Sequence, residues 1–389
     1  MAIWRAQHYR QNGLLQGIDP QLLSRAIEYG DAITRSNRNL TPVFTLRHLA
    51  LLCGASYAAL RAYAGRKNDE ANHPYRFFRI RKRTGPGERP RRRTICVPAP
   101  ELRKAQRFIH DSILSYLPVH PGSIAYSRHT RPVEEIGIHC GCRWLIKLDV
   151  QNFFEAISER AVYRVFRNAG YPALISFEMA RLCTRIVPGN RDEGPSGQTS
   201  GRVGRYSIEA YWNWRQGSLP QGAPSSPLLA NLCSFGLDTL VANIASEYGM
   251  VYTRYADDIA LSTTNHHFSR SDALRVIQQV YAAMRQCDLQ PNTAKTMIAP
   301  PGARKIVLGL YVDQSTPRLT REFRSRLEQH LHFCLHPDVG PVAHARRKGF
   351  SAVLGFKNHL RGLIAYATQV EPGYGATKLV DFQRVAWPF

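Results

Sequence analysis

An α+β fold built around an antiparallel central sheet is the architecture this sequence predicts, and three observations predict it. Runs with apolar residues at helical spacing alternate with short β-prone runs. No glycine-rich phosphate-binding turn joins a strand to a helix, as a parallel βαβ sheet with a nucleotide site would require. Two β-prone runs, Met250-Val251-Tyr252-Thr253-Arg254 and Ile259-Ala260-Leu261-Ser262-Thr263, flank Tyr255-Ala256-Asp257-Asp258, a pattern that gives a hairpin. With 389 residues and 44% hydrophobic content the chain can bury a large core and divides into two or three domains.

Taken in order, residues 1–75 read as helical, from apolar recurrence in Gln21–Ile27 and Leu46–Leu52. Tyr75–Ile80 and Arg93–Val97 are strand-like and flank Gly85-Pro86-Gly87, giving a basic hairpin rich in arginine, with aromatic residues at 75, 77 and 78. A helix is predicted over 101–116, a buried strand over 144–150, and helical spacing again over 159–187. Residues 188–218 are rich in Gly, Ser and Arg without periodicity, which marks an inserted loop suited to ordering on RNA or DNA. One helix is predicted over 224–248, and another over 271–287 capped by Ser271. Residues 306–312 read as a late strand, and the chain from about 318 as helical and basic.

The formal net charge is +23, from 52 Lys+Arg against 29 Asp+Glu. Such an excess implies a polyanionic partner, because cationic clusters gain affinity for nucleic acid by releasing counterions. No uninterrupted apolar stretch is long enough to span a bilayer and no signal pattern opens the chain, so a soluble cytoplasmic protein with no membrane partner is expected. The eight cysteines lack a C-x-x-C pair, and thiols in a reducing compartment are expected rather than zinc. His330, His332, Cys334 and His336 alternate with apolar residues and read as part of a helix rather than a ligand set.

The chemistry concentrates in three segments. Adjacent carboxylates at a tight turn repel each other, and Asp257-Asp258 alone is most often a solvated turn. A divalent cation reverses the sign of that interaction, since Mg²⁺ takes oxygen ligands from carboxylates and substrate phosphates. Such a site needs a third carboxylate, and Asp149 ends the predicted strand at 144–150, followed by Phe153 and Phe154. Each phenylalanine is as readily core as function. Leu219-Pro220-Gln221-Gly222-Ala223-Pro224-Ser225-Ser226-Pro227 is the most specific segment: Gly222 permits close approach to a base pair, and Ser225 or Ser226 suits the cap of the helix that follows.

Asp149-x4-Phe154, Leu219–Pro227, Tyr255–Asp258, Asn292-Thr-Ala-Lys295-Thr296 and Val307-Leu-Gly-Leu310 resemble, in order, the polymerase motifs of reverse transcriptases. The wording of Leu219–Pro227 and the ending Leu360–Tyr366 resemble the bacterial retron reverse transcriptases, relatives of the group II intron enzymes, over roughly 45–380. The resemblance implies a right-hand polymerase fold: a helical region at 1–75, fingers at 76–148, palm at 149–312 with the loop 188–218 inserted, and a helical thumb at 313–389. It implies an RNA-directed DNA polymerase using dNTPs and two Mg²⁺ ions, with Asp149, Asp257 and Asp258 catalytic and, with Val150, in the metal set. By the same resemblance Arg93 grips the triphosphate, Gln221 lines the nucleotide pocket, Phe154 gates the sugar, Lys295 serves as general acid, and Val307–Leu310 forms the primer grip. The implied partners are a cognate structured non-coding RNA, its DNA copy, primed from a 2′-hydroxyl, and a separate effector in anti-phage defence. With so few residues after about 380, any effector is expected to act in trans rather than as a fused domain.

Two departures stand out. Glu135-Ile-Gly-Ile-His139 keeps only the histidine of the Asn-Ala-x-x-His sequence typical of retron enzymes, and Val307-Leu308-Gly309 lacks the threonine of their Val-Thr-Gly. Both sequences are linked to RNA choice, so RNA specificity is the open point. A non-retron defence-associated or group II intron-like enzyme is the near alternative, and a catalytically inactive RNA-binding scaffold the alternative of another class.

Overall fold

Four strands form the central sheet of the computed structural model, which describes residues 4–66, 74–81, 92–127, 130–186 and 216–389. A hairpin of β1 (Tyr75–Arg81) and β2 (Arg92–Pro98) precedes the sheet. Its expected turn at Gly85-Pro86-Gly87 lies outside the described residues. The sheet contains β3 (Trp144–Asp149), β4 (Val251–Tyr255), β5 (Asp258–Thr263) and β6 (Met297–Ala299). Their order is β4-β5-β3-β6, every neighbouring pair antiparallel. A small sheet of β7 (Ile306–Val307), β8 (Leu310–Tyr311) and β9 (Arg318–Leu319) follows, and helices make up most of the remainder. The α+β class with an antiparallel centre is thus the observed one.

β3 reads as nearly continuous apolar sequence because both of its faces are covered. Trp144, Ile146 and Leu148 enter a large core shared with the helices Glu159–Asn168, Ala173–Cys183, Phe235–Glu247 and Arg270–Gln286. Leu145 enters a second core with Val307, Leu310, Phe356, Leu360 and Ile364, built on the C-terminal helices. The second face therefore changes along its length, from apolar packing at Leu145 to an open cleft at Asp149.

Several local expectations are corrected. The helix expected over 224–248 is two, Ser226–Cys233 and Phe235–Glu247, bent by 51°. Ser234 leaves helical geometry between them at φ −91°, ψ 4°, and apolar residues on both sides hide the break from periodicity. No single helix among the described residues is long and apolar enough to cross a membrane, and the bent pair that matches in composition carries buried core residues on both segments. The strand expected over 306–312 is a hairpin: Leu308 (φ 48°) and Gly309 (φ 79°) are both left-handed, as a type I′ turn demands. Glycine adopts that backbone freely, whereas Leu308 is strained in it.

Ser269, not Ser271, caps the helix Arg270–Gln286, in a capping box with Asp272. Neither Ser225 nor Ser226 caps its helix, because Ser225 has αR backbone angles and its side chain makes no capping bond. The 101–116 segment is a helix to Ser112 and then a 3-10 turn, and 159–187 holds two helices. His330 and Cys334 face the core from the helix Arg321–Leu335, where His330 Nδ1 lies 2.9 Å from His344 Nε2. All eight cysteines are free.

Most of the inserted segment 188–218 lies outside the described residues, but its neck does not. Arg185 and Ser218 exchange both backbone N–H···O bonds at 2.9 Å. Beside them the buried Glu159 accepts bonds from Arg66 at 2.5 Å, Arg181 at 3.2 Å and the Gly217 N–H at 3.1 Å.

His139 is fully buried, with ring nitrogens 2.7 Å from both Ser262 Oγ on β5 and Thr253 Oγ1 on β4. It ties two strands of the central sheet together and has no surface to offer RNA. Burial pushes its pKa down to about 4, so it is neutral in the fold and protonates on unfolding near 6.5. Its contribution is complete above pH 6.5 and is lost as the pH falls toward 4, a change of about 3 kcal/mol. Urea unfolding of the wild type should weaken across that window. His139→Gln should flatten this slope, and an unchanged pH profile would contradict the assignment.

Candidate active site

The cleft begins with register. Asp149 and Asp258 are directly opposed in the antiparallel pair β3–β5, so both side chains leave the same face of the sheet. Ala256 and Asp257 form the two-residue turn joining β4 to β5, with Ala256 at φ 54°. The Val150 N–H donates to the Asp257 carbonyl at 3.0 Å, which fixes the turn against the end of β3. The three aspartates expected from sequence therefore meet at one rim.

A cleft of about 640 Å³ opens there, lined by Arg93, Phe154, Gln221, Lys295 and Val150 together with Asp149, Asp257 and Asp258. Arg93 comes from β2 and Phe154 from the short helix Phe153–Ala156. Gln221 is delivered by Leu219–Pro227, whose backbone joins β2 where the Cys96 N–H donates to the Gln221 carbonyl at 2.7 Å. Gly222 makes that approach possible: at φ 105°, a Cβ there would lie 2.8 Å from Ile95 Cγ2 and 3.0 Å from the Cys96 carbonyl. Among the described residues the buried Gln221 Oε1 atom has no hydrogen-bond partner, which leaves an acceptor available to a ligand. Every residue expected to hold metal or nucleotide lines this one cleft, whereas Val307–Leu310, expected as the primer grip, lines a neighbouring cavity.

Charge in the cleft is unbalanced by design of the backbone. Burial first, and the neighbouring Asp149 carboxylate after it, raise the pKa of Asp257. Burial and then the charge of Asp257 raise that of Asp258. Asp149, only 3% exposed, accepts from Asn292 Nδ2 at 2.7 Å and from Lys295 Nζ at 2.5 Å. Burial alone would lower the pKa of Lys295, but the hydrogen bond and charge of Asp149 outweigh it and hold the ammonium protonated.

Among the described residues no three His, Cys, Asp or Glu side chains are already gathered as metal ligands. The donor set nonetheless fits a hard divalent cation. Its members are carboxylate oxygens, they repel one another, and one of them has already recruited the Lys295 ammonium as a positive partner.

Three contributors were given no role in the reading of sequence motifs. Tyr126 (φ 62°) lines the cleft, with ring centroids 6.4 Å from Phe154 and 5.8 Å from Tyr255. Asn292 orients Asp149 through both its side chain and its backbone N–H, which donates to the Asp149 carbonyl at 2.8 Å. Arg254 is wholly buried behind the turn: it pairs with Asp238 at 2.6 Å and donates to the Ala256 carbonyl at 3.0 Å. Only Asn292 carried a signal, three positions before Lys295; Tyr126 and the Arg254–Asp238 pair depend on long-range contacts.

A family model described as reverse transcriptase (RNA-dependent DNA polymerase) matches residues 80–313. Retron Ec86 reverse transcriptase of Escherichia coli is 29% identical over 310 residues, covering 79% of this chain and 85% of that protein. Retron Mx162 reverse transcriptase of Myxococcus xanthus is 27% identical over 392 residues, covering 97% and 75%. Among solved structures, apo telomerase from Candida tropicalis, truncated from the C-terminal domain, aligns with a TM-score of 0.37 at 12% identity, over 63% of this chain and 55% of that one. Telomerase from Candida albicans with a fragment of telomeric RNA aligns with a TM-score of 0.39 at 11% identity, over 80% and 56%. The chain spans little more than half of either telomerase.

Proposed function

We propose, from the premise that this chain belongs to the reverse transcriptase family and is an RNA-directed DNA polymerase, that it serves a retron, copying part of a cognate structured non-coding RNA into a short DNA. The observation that carries this reading is the convergence of Asp149, Asp257 and Asp258 with Arg93, Gln221 and Lys295 in one cleft. The fold is the right-hand polymerase fold, and the proposed division is a helical region at 1–75, fingers at 76–148, palm at 149–312 and thumb at 313–389.

On this reading Asp149, Asp257, Asp258 and Val150 hold two Mg²⁺ ions, which when bound supply Lewis-acid stabilisation of charge on the reacting phosphate. Arg93 presents a guanidinium suited to bidentate contact with the incoming triphosphate. Gln221 offers its free Oε1 in the nucleotide pocket. Lys295, kept protonated beside Asp149, holds a proton for the departing pyrophosphate. Val307–Leu310 grips the primer. The half-buried ring of Phe154 stands at the sugar, and Phe154→Val should relax discrimination against ribonucleotides by about 10–100-fold. Competing rNTP and dNTP incorporation measures this directly, and an unchanged ratio would remove Phe154 from the gate.

Priming from a 2′-hydroxyl, a separate effector protein, a cytoplasmic setting and a role against phage belong to the same proposal, supported by the likeness to named retron enzymes. Sequencing the nucleic acid that co-purifies with the protein from cells carrying the complete locus tests it. DNA joined to RNA through a 2′-5′ linkage is the expected product. Unbranched DNA alone would favour a reverse transcriptase outside the retron group.

A further inference from the structure

Lys147 occupies a place that the chemistry described so far does not use. It lies on β3 two residues before Asp149, so the two side chains share a face about 7 Å apart along the strand. Its cross-strand partners are Ala260 on β5 and Met297 on β6. Ala260 is small and buried, which leaves the lysine stem room to run along the sheet. Asp258 is its diagonal neighbour, beyond direct pairing distance for the backbone register but within the same field.

A half-buried lysine in a central strand carries a desolvation cost that an anion normally offsets. Here, among the described residues, Lys147 forms no ion pair within 4.0 Å, and the negative charge it meets is that of Asp258, whose carboxyl it favours in the ionised form. The side chain instead lines a cavity of about 550 Å³. The opposite walls are Leu308 and Gly309 of the β7–β8 turn and Tyr366 and Gln369 of the helix Val353–Val370. Asp258 and Tyr255 line both this cavity and the cleft described above, so the two share a wall.

We propose that Lys147 binds a phosphodiester of the growing strand, close behind its reacting end, and so seats the primer terminus against Asp149 and Asp258. The inference rests on the polymerase reading, and it adds a contact that fixes the register of one strand only. Lys147 is thus a positioning residue. Ala260 is part of the arrangement, because a larger side chain there would crowd the lysine stem.

The test uses full-length protein carrying Asp257→Asn, so that binding is measured without turnover, on an RNA template with an annealed DNA primer over a salt series. Adding Lys147→Met, which keeps the apolar stem, should weaken binding about tenfold. It should also lower the slope of log K against log salt by about 0.7–0.9, the signature of one lost phosphate contact. Lys147→Arg should restore the slope, and affinity for the unprimed RNA should not change. Lys147→Gln serves as a second variant, with melting temperature checked for each.

A slope and affinity equal to the parent would overturn the inference. So would an equal loss on unprimed RNA, because the contact would then not belong to the primer. Neither result would touch the polymerase reading, which fails instead if the Asp257→Asn protein still incorporates dNTPs.

Discussion

Asp257→Asn abolishes incorporation of labelled dNTP into a primed RNA template, by about 10³-fold or more, while the protein melts no lower than the wild type. The two halves of this expectation have one cause. Asp257 is held in a partly buried turn beside Asp149 and Asp258, and that surrounding raises its pKa, which means the folded state disfavours its charge. An amide of the same shape keeps the backbone bond from the Val150 N–H to the Asp257 carbonyl and removes the repulsion. Stability is therefore preserved or increased, as is common where an active site concentrates like charges. Activity falls because several kcal/mol of charge stabilisation at the reacting phosphate depend on that carboxylate, and each 1.36 kcal/mol is tenfold in rate. Retained activity in Asp257→Asn, with a normal melt, would remove Asp257 from the site.

Arg254→Met should cost about 3–5 kcal/mol of stability, a large share of a typical domain's 5–15 kcal/mol. Arg254 and Asp238 are both 0% exposed, and the pair is bidentate, at 2.6 and 2.7 Å. Tyr252 Oη donates to the same Asp238 carboxylate, and Arg254 also reaches Ser123 Oγ and the Ala256 carbonyl. Removing the guanidinium leaves Asp238 buried and uncompensated, with the turn before Asp257 no longer anchored from behind. Urea midpoints measure the loss. Replacing both partners, as Arg254→Met with Asp238→Leu, should cost less than the two single changes summed, because no orphaned charge remains. Strict additivity would mean that the pair is not coupled.

The convergence of the three aspartates was legible because a metal-binding chemistry restricts residue type and order. Asp149 had to end a strand, Asp257 had to sit at a turn, and Gln221 had to lie in a proline-stiffened segment, all local properties. The antiparallel class was legible for the same reason, from the hairpin around Tyr255–Asp258. What could not be read depends on contacts remote in sequence. Arg254 looked like one more residue of a β-prone run, although its partner Asp238 lies on a helix. His139 is the one residue kept of the Asn-Ala-x-x-His sequence, yet its ring is spent on Ser262 and Thr253. The break at Ser234 is silent because apolar residues continue through it. The Leu308-Gly309 turn was hidden because leucine is seldom left-handed.

The pinch at Arg185 and Ser218 has a consequence for how such a chain can change over time. Two residues that exchange both backbone bonds stand about 5.5 Å apart, so the segment between them begins and ends at nearly one point. Lengthening what lies beyond that point adds closure entropy only logarithmically, about 0.6 kcal/mol per doubling. Residues beyond the pinch are thus free to lengthen, shorten or be exchanged for another sequence while the segment that carries Gln221, starting at Leu219, keeps its course. A lineage can rewrite the segment beyond the pinch without retuning the step that joins nucleotides.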